Sequence, residues 1–349
     1  MNSSLNKIST TETSSTSSQA IAASGITNTT QVMYSVLCTL AIPGNMVTIL
    51  VFIRERRLLE KSYNILILTL AIADVMTAIL LITNPSFVVG DAFPYPTNPV
   101  LGEIFCRVIW SRVFLFQLVF FSIYISLVLT VERWVAIVKP VKYNIFFKGK
   151  RLILCIFVCW IWSLFLTGAS LADTVYKPNL SSRNICEFEI ILQGTSFRMA
   201  LSTLQFFMKM AFPCLSIIGL YIHMIVSTNN SPIASVESKA KLRGKVTRMI
   251  GAMSCIFIIC ITPNQIVLVL AYAGKAILDT KLHHFTAFFN FIPTCANPFI
   301  YGLSNETYRR RYKKILFSLC PKVLRGGADA ANLDIVLRER RVQPSTIEQ

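Results

Sequence analysis

The sequence predicts an all-α fold, an integral membrane bundle of seven transmembrane helices followed by a short amphipathic eighth helix. Seven apolar runs divide most of the 349-residue chain, and most of them are long enough to cross the hydrocarbon layer as a helix. The composition, with 54% hydrophobic and 15% charged residues, is too apolar for a soluble domain. Basic residues collect in alternate connections between the runs, which is typical of a protein with a fixed orientation in the membrane.

The seven runs, called spans one to seven, occupy residues 32–305. In lipid each backbone N–H and C=O group needs a partner within the chain, so we expect every span to be helical. A single charge interrupts span two at Asp74 and span five at Lys209. The runs are Val32–Ile53, Ser62–Gly90, Val113–Val131, Leu152–Ala172, Met199–Asn230, Met249–Gly274 and Leu282–Asn305.

The net charge of +17 is explained by membrane topology, and nucleic-acid binding is not expected. The connections after spans one, three and five contain more than twice as many Lys and Arg residues as the other three connections. Basic connections remain in the cytoplasm. We therefore expect a multi-pass protein of the plasma membrane with an extracellular N-terminus and a cytoplasmic C-terminus.

The terminal segments carry candidate modification sites. Residues 1–31 are rich in Ser and Thr and lack the apolar core of a cleavable signal, which predicts an extracellular tail. Residues 306–320 predict a cytoplasmic amphipathic helix and residues 321–349 a cytoplasmic tail. Cys320 is either a palmitoylation site or an inert thiol. Candidate N-glycosylation sites on the predicted outside are Asn2, Asn28 and Asn179.

The cysteines predict one disulfide bond. Of the ten cysteines, seven lie within the apolar runs, where cysteine usually packs as a small apolar side chain. Cys106 and Cys186 lie in predicted extracellular segments, where the environment is oxidising. Their disulfide would tie the outer end of span three to the loop that follows span four.

Polar residues inside the spans are the candidates for function, because a charge at the membrane centre costs about 3 kcal/mol on insertion scales. Asp74 lies alone in span two, and Glu132-Arg133-Trp134 closes span three. Span seven contains Asn297-Pro298-Phe299-Ile300-Tyr301, whose proline permits a kink. We find neither the His and Cys spacing of a metal site nor paired catalytic groups at one depth, so an enzyme is not expected.

Together these motifs resemble those of the rhodopsin-like (class A) G-protein-coupled receptors, and the resemblance covers about residues 30–320. The segment Tyr308–Leu316 resembles the short eighth helix of that family, so contact with membrane lipids is expected. The other matching residues are Gly44-Asn45, Asp74, Glu132-Arg133-Trp134, Trp160, Pro213 with Tyr221, Phe257 with Cys260-Ile261-Thr262-Pro263, and Asn297-Pro298-Phe299-Ile300-Tyr301.

The resemblance implies a mechanism of coupling to heterotrimeric G proteins. Arg133 would pair with Glu132 at rest. Outward movement of span six at the Pro263 kink would then free Arg133 to meet Tyr221, Tyr301 and a helix of the G protein. The implied activation switches are Phe257, Pro263, Asn297 and Pro298.

A polar cluster within the bundle is a second implication of the resemblance. Its oxygen atoms suit an allosteric sodium ion in the resting state, and no other cofactor or metal is expected. A hydrated polar cluster without sodium is the alternative. The cluster consists of Asn45, Asp74, Ser122, Thr294 and Asn297.

The chain departs from the family pattern at four positions. Trp134 replaces a tyrosine, and Ile261 replaces the tryptophan that usually precedes Thr-Pro in span six. Arg243 stands where many relatives have an acid, so a resting salt bridge from Arg133 to that position is not expected. Cys106 lies 27 residues before Arg133, two more than usual in the family, which predicts a bulge or a longer outer end of span three.

The resemblance narrows the class of ligand without identifying it. Amine-binding relatives carry an aspartate where this chain has Leu115, and light-sensing pigments carry a lysine where it has Phe291. Amides and aromatic rings in the outer halves of the spans favour a peptide or a polar small molecule, although interhelical hydrogen bonds explain the amides equally well. The candidate pocket residues are Asn84, Leu115, Gln117, Lys209, Asn264, Gln265 and Asn290.

For the candidate pocket residue Lys209, the sequence suggests alternative partners for the ammonium group. Its ammonium is expected to meet an acidic or carbonyl group of the ligand, since no acidic partner is evident in the outer halves of spans three and six. Otherwise it hydrogen-bonds Gln117, Asn264 or loop carbonyls.

The sequence therefore predicts a receptor that transduces an extracellular ligand to heterotrimeric G proteins. A light- or lipid-responsive receptor of the same family is the first alternative. A membrane transporter would explain the buried charges as an ion path, but the repeats expected of transporters are missing.

Overall fold

The computed structural model describes residues 12–85, 87–89, 96–177, 185–189, 194–229, 237–278 and 280–319. The predicted modification sites Asn2, Asn179 and Cys320 and the tail 321–349 lie outside these ranges, and Asn28 lies within the first helix. Among the described residues, six helices are long and apolar enough to cross a membrane, and a seventh, divided helix packs against them. The predicted all-α bundle is therefore confirmed.

The helices follow the predicted order. Two 3₁₀ helices, Arg56–Glu60 and Pro140–Lys142, and two π-helical turns, Phe105–Trp110 and Phe207–Ala211, lie between or within them. The α-helices are α1 Glu12–Arg54, α2 Ser62–Thr83, α3 Pro99–Ile104, α4 Val113–Val138, α5 Tyr143–Phe146, α6 Lys150–Thr167, α7 Ala169–Ala172, α8 Ser196–Phe206, α9 Phe212–Asn229, α10 Glu237–Tyr272, α11 Lys281–Phe289, α12 Ile292–Ser304 and α13 Glu306–Leu319.

Two helices extend past the predicted membrane boundaries. Helix α1 begins at Glu12, within the predicted tail 1–31, and α10 begins at Glu237, twelve residues before the predicted start of span six. Neither added segment contains a proline. An existing helix gains one hydrogen bond for each residue it adds, so both helices continue beyond the lipid.

Span two ends at Thr83, earlier than the predicted Gly90. Asn84 is extended, with φ −78° and ψ 129°, because the following Pro85 disfavours the helical conformation in the residue before it. Asn84 Nδ2 donates to the carbonyl of Ile109 at 2.8 Å. The end of span two is thereby fixed against the outer end of span three.

Span three contains the predicted bulge. The π-helical turn Phe105–Trp110 is followed by Arg112 in the left-handed region, with φ 64°, and α4 then runs regularly to Val138. A π-helical turn contains more residues per turn than an α-helix. This geometry accommodates the two extra residues between Cys106 and Arg133.

Span seven is divided, whereas a continuous run was predicted. Helix α11 ends at Phe289 and α12 begins at Ile292, with Asn290 and Phe291 in the turn between them. Pro293 in the first turn of α12 has no N–H to continue the hydrogen-bond ladder from α11. The break therefore follows from the sequence Asn290-Phe291-Ile292-Pro293.

A β-hairpin closes one end of the bundle, which we call the outer end. Strands β1, Thr174–Tyr176, and β2, Cys186–Phe188, are antiparallel, with Val175 opposite Glu187. The predicted disulfide between Cys106 and Cys186 is confirmed, with a Cα–Cα distance of 5.4 Å. The opposite end, which carries α5 and α13, is the inner end.

The buried apolar side chains form two layers between these ends. The outer layer includes Leu115, Phe120 and Phe291. The inner layer includes Ile125, Met253 and Tyr301. Apolar residues on the opposite faces remain exposed, such as Ile153 and Phe165 on α6, and these faces suit contact with lipid tails.

Candidate functional site

The outer end of the bundle contains a cavity beneath the hairpin. Its empty space amounts to about 630 Å³, a figure that includes space open to solvent. Spans three to seven all contribute to it. The lining residues are Ser111, Arg112, Phe116, Phe120, Thr167, Ser170, Asp173, Phe188, Lys209, Asn264, Gln265, Leu268, Tyr272, Leu278 and His283.

The bulge in span three decides which residues of that span face the cavity. Arg112, Phe116 and Phe120 line it, and their spacing of four residues places them on one face of the helix. Leu115 instead packs in the outer apolar layer. Gln117 is buried and its Nε2 has no hydrogen-bond partner among the described residues. Neither residue is among those that line the cavity, contrary to the prediction.

Lys209 lies on the cavity wall in the π-helical turn of span five. Its side chain is 6% exposed, and Nζ donates to Gln205 Oε1, one turn earlier, at 3.0 Å. Nζ also lies 5.4 Å from the centre of the Phe120 ring, within the range of a cation–π contact. The described residues place no carboxylate within ion-pair distance of Lys209. The alternatives Gln117 and Asn264 are not its partners.

Two amides of span six complete the polar lining. Asn264 and Gln265 are 0% and 3% exposed, and Asn264 Nδ2 and Gln265 Nε2 have no hydrogen-bond partner among the described residues. These N–H groups are donors that the described residues leave unused. Asn290, also predicted for the pocket, lies in the turn that divides span seven and is not part of the cavity lining.

Asp173 of the cavity lining belongs to an ion pair that sequence reasoning missed. Arg198 Nη2 pairs with Asp173 Oδ2, and both side chains are at most 10% exposed. The guanidinium carbon of Arg198 lies 4.5 Å from the centre of the Tyr272 ring. Asp173 lies between α7 and β1. The sequence analysis considered only spans three and six for an acidic residue near Lys209, so it did not find Asp173.

The hairpin supplies the roof of the cavity. Phe188 of β2 lines it and lies 4.7 Å from the Trp110 ring, measured between ring centres. Lys177, outside the membrane, pairs with Glu187 Oε2 at 2.7 Å, and this hydrogen bond is the main reason that the pKa of Lys177 is raised. The disulfide holds the hairpin directly against the bulge in span three.

The predicted polar cluster is partly assembled between the two apolar layers. Asn297 Nδ2 donates to Asp74 Oδ2 at 2.9 Å. Asn45 Nδ2 donates to the backbone carbonyl of Thr294 at 2.8 Å, and the carbonyl of Ser122 accepts from Ser126. All five predicted residues are buried. Asn45 Oδ1 has no hydrogen-bond partner among the described residues.

At the inner end, the predicted pairing of Arg133 with Glu132 is present. Nε and Nη2 of Arg133 both donate to the Glu132 carboxylate, which also accepts from the Tyr143 hydroxyl. The Arg133 guanidinium lies 4.2 Å from the centre of the Tyr63 ring. Burial and the charge of Glu132 raise the pKa of Tyr143 to about 12, so its hydroxyl stays protonated and remains a donor.

The other residues predicted for coupling and switching lie on spans five, six and seven. Tyr221 contacts Gly251 so closely that an added Cβ would lie 2.7 Å from its ring. Tyr301 is fully buried, and its hydroxyl has no partner among the described residues. Phe257 belongs to the outer apolar layer, and Pro263 lies within α10.

Pro298 and Trp134 connect neighbouring spans. Pro298 lies within α12, against Gly44, where an added Cβ would lie 3.1 Å from its ring. Trp134, the departure from the family pattern, donates from Nε1 to His223 Nδ1 at 3.1 Å. This hydrogen bond links spans three and five near the inner end.

Arg112 is the cavity residue that sequence reasoning should have found. It directly precedes the predicted span three and was not among the candidate residues. The signal was the two-residue excess between Cys106 and Arg133, which predicted a bulge without showing where it lies. The bulge at this position directs the Arg112 side chain toward the interior of the bundle, where it is 2% exposed.

Comparison with known proteins gives a consistent family match. Residues 44–301 match the model of the family described as 7 transmembrane receptor (rhodopsin family). Somatostatin receptor type 5 of Bos taurus is 28% identical over 323 residues, covering 90% of this chain and 82% of the relative. Somatostatin receptor type 4 of Rattus norvegicus is 27% identical over 316 residues, covering 88% and 77%. Both relatives are similar to this chain along most of its length.

Proposed function

Because the chain belongs to the rhodopsin family of seven-transmembrane receptors, we propose that it binds an extracellular peptide or polar small molecule in the outer cavity and activates heterotrimeric G proteins through Arg133. The observation that carries this proposal is the placement of an outer cavity lined by aromatic, amide and charged side chains and a buried, paired Arg133 at opposite ends of span three. The basic connections favour a plasma-membrane orientation with the N-terminus outside.

The relatives favour a peptide among the possible ligands. Their names identify them as receptors for somatostatin, which is a peptide. The cavity also has the mixed aromatic and amide lining that suits peptide side chains and carbonyls, as in Phe116, Asn264 and Gln265. A light-responsive receptor is disfavoured by Phe291, and the described spans offer no evident repeat for a transporter.

Lys209 is the proposed contact for an acidic or carbonyl group of the ligand. Desolvation makes a buried ammonium costly unless a partner is present, and Gln205 supplies one acceptor. A ligand oxygen at the cavity wall would supply another. Replacing Lys209 with Met keeps the volume and removes the charge, so ligand potency should fall at equal surface expression.

Coupling follows from the release of Arg133. At rest the Glu132 carboxylate accepts from both Arg133 and Tyr143. A ligand shifts the receptor toward the active state only to the extent that it binds that state more tightly. Outward movement of α10 at Pro263 would open the inner end, where a freed guanidinium can donate to carbonyls of an inserted helix. Tyr221 and Tyr301 are the proposed partners of Arg133 in that state.

A sodium ion is the proposed resting ligand of the polar cluster. Sodium is bound by oxygen atoms. Asp74 supplies a buried carboxylate, and Asn45 Oδ1 is a buried carbonyl oxygen without a hydrogen-bond partner among the described residues. The other proposed contributors are Ser122, Thr294 and Asn297. The residues fit an oxygen-coordinated cation, whose charge would offset the buried carboxylate.

The experiment is guanine-nucleotide exchange in membranes that express the full chain together with a panel of G proteins. Arg133→Ala should reach the cell surface and lose most exchange. Arg56→Ala, which changes an exposed arginine near the same end, is the matched control and should behave like the native chain. Normal exchange by Arg133→Ala would remove the proposed coupling mechanism.

A further inference from the structure

A branch of the outer cavity, between Ser202 and Lys209 of span five and Gln265 of span six, leads to a groove on the membrane side of these two spans. We propose that the branch and the groove together bind a lipid acid, a carboxylate at the end of a single alkyl chain. This site goes beyond the proposed function, because its ligand comes from the bilayer. The two sites share Lys209.

The branch is continuous with the outer cavity at one end and with the groove at the other. Lys209, Gln265 and Tyr272 line both the cavity and the branch. Phe206 and Val269 line both the branch and the groove. A path therefore runs from the buried ammonium of Lys209, between spans five and six, to the outer surface of the bundle.

The branch contains hydrogen-bond donors that the described residues leave unused. The side chains of Ser202 and Gln265 are 2% and 3% exposed, and neither Ser202 Oγ nor Gln265 Nε2 has a hydrogen-bond partner among the described residues. A hydroxyl and an amide N–H both donate, and a buried donor without an acceptor opposes folding. The branch therefore suits a group that accepts several hydrogen bonds.

Lys209 supplies the charge of the branch. Among the described residues, its Nζ has one hydrogen-bond partner, the neutral amide oxygen Gln205 Oε1 at 3.0 Å. A hydrogen bond between an ammonium and a carboxylate is roughly twice as strong as one between neutral groups. A carboxylate can accept from Lys209, Ser202 and Gln265 together, whereas a neutral alcohol or amide would leave the ammonium without an anion.

The groove offers apolar contacts for an alkyl chain. None of its described lining residues is charged. Ile266 and Leu270 are 49% and 40% exposed, and apolar residues on the outside of a span contact lipid tails. The Thr203 hydroxyl donates to the carbonyl of Met199 at 2.8 Å, so it is already used. The lining residues of the groove are Thr203, Phe206, Ile266, Val269 and Leu270.

The order of the polar and apolar parts matches an amphiphile. Thr203 of the groove precedes Lys209 by six residues, so the two positions are roughly 9 Å apart along the helix axis. An acid with a single alkyl chain can reach from one to the other and extend into the bilayer. A polar peptide would gain nothing from a groove that faces lipid. The arrangement therefore favours a lipid acid as the occupant.

The test is photolabelling of the purified full chain in nanodiscs of zwitterionic phospholipid. The probe is palmitate with a diazirine in its alkyl chain. Mass spectrometry should find the probe on residues 203–206 and 266–270, and excess unlabelled palmitate should remove this labelling. The methyl ester of the same probe has no charge and should label these segments about tenfold less, because it cannot form the charged hydrogen bond to Lys209.

Two pairs of variants test the two ends of the site separately. Lys209→Met should reduce the displaceable labelling about tenfold, whereas Lys209→Arg keeps the cation and should retain most of it. Thr203→Trp fills the groove and should also reduce labelling. Leu204→Trp changes the next residue, which is 53% exposed and outside the groove lining, and should leave labelling unchanged. Thermal unfolding of each variant distinguishes lost binding from misfolding.

Three results would overturn the proposal. They are equal labelling by the acid and its ester, labelling that unlabelled palmitate does not displace, and labelling that Lys209→Met leaves unchanged. Each would show that the groove contacts only the bulk lipid. Photolabelling needs no G protein, so it is independent of coupling. Loss of the labelling with normal nucleotide exchange would remove this inference alone, and labelling without any exchange would remove the coupling function alone.

Discussion

The outer and inner halves of the bundle use buried cations in opposite ways. In the inner half, Arg133 is paired by the adjacent Glu132, which also accepts from Tyr143. In the outer half, Lys209 donates to the neutral Gln205 amide, and the one described carboxylate of the cavity lining, Asp173, is paired with Arg198. The cation of the inner half is therefore matched by a carboxylate, whereas Lys209 in the outer half has a neutral acceptor.

The backbone shows the same difference. The outer half contains both π-helical turns, the left-handed Arg112 and the break in span seven. The inner parts of spans three and five run as regular α-helices. Irregular turns redirect side chains, so they allow a ligand site to vary on a common scaffold. Regular helices preserve the spacing that a shared signalling partner requires.

The largest expected effect is loss of the outer disulfide. Cys106→Ser removes a cross-link that spans 80 residues, worth at most about 4–5 kcal/mol in the chain-entropy model. Surface expression, measured by flow cytometry of an epitope-tagged chain, should fall strongly. The free cysteine Cys255 is exposed, so Cys255→Ser should express normally. Free thiols on both Cys106 and Cys186 in the native protein would contradict the pairing.

The second largest effect is expected from breaking the ion pair between Asp173 and Arg198. Asp173→Asn leaves the Arg198 charge buried without its partner, which costs about 3–5 kcal/mol. The midpoint of thermal unfolding in detergent should therefore fall by several degrees. Glu306→Gln breaks an exposed pair with Arg309 and should change the midpoint little. Equal effects of the two variants would show that the outer pair does not stabilise the hairpin end.

The packing of the inner half is tested by two glycines. In Gly251→Ala the new Cβ would lie 2.7 Å from the Tyr221 ring, and overpacking of this kind costs about 1–3 kcal/mol. Gly219→Ala places a Cβ in open space and should be neutral or slightly stabilising, since alanine favours the helix. Thermal unfolding of both variants is the measurement. Equal midpoints would mean that spans five and six separate at no cost.

The smallest effect is expected at Tyr143. Tyr143→Phe removes one of the donors to Glu132, worth about 1 kcal/mol, and should raise basal nucleotide exchange severalfold by weakening the hold on Arg133. Since the pKa of Tyr143 is raised to about 12, its hydroxyl loses the proton only as the pH passes that value. The increase should therefore be the same at pH 6 and pH 8. Unchanged basal exchange would show that Tyr143 does not restrain Arg133.

The sequence predicted the inner half of the molecule well because local patterns decide it. The pairing of Arg133 with Glu132 was implied by the family resemblance, and it joins residues that are adjacent in the chain. Two cysteines, Cys106 and Cys186, lie in predicted extracellular segments, so the predicted topology allowed one extracellular disulfide. The count of apolar runs gave the number of spans, since a membrane allows few structures other than helices.

The outer cavity could not be predicted in the same way. Of the seven candidate pocket residues, Lys209, Asn264 and Gln265 line it, whereas Asn84, Leu115, Gln117 and Asn290 do not. Each π-helical turn shifts the helical register, so a periodic pattern no longer shows which side chains face inward. The Asp173–Arg198 pair joins residues 25 apart, and no local pattern signals it.

The sequence by itself therefore determined the family, the number of spans, the outer disulfide and the pairing of Arg133. The number of spans and the disulfide follow from composition and topology, whereas the family and the pairing of Arg133 follow from the resemblance of the sequence motifs to those of class A receptors. Only the tertiary structure decided that Arg112 faces the cavity, that Asp173 is paired with Arg198, and that Lys209 lies over Phe120. These contacts depend on how spans three, four and five approach one another. Irregular turns also set the helical register of these spans, and that register cannot be deduced from hydrophobic periodicity.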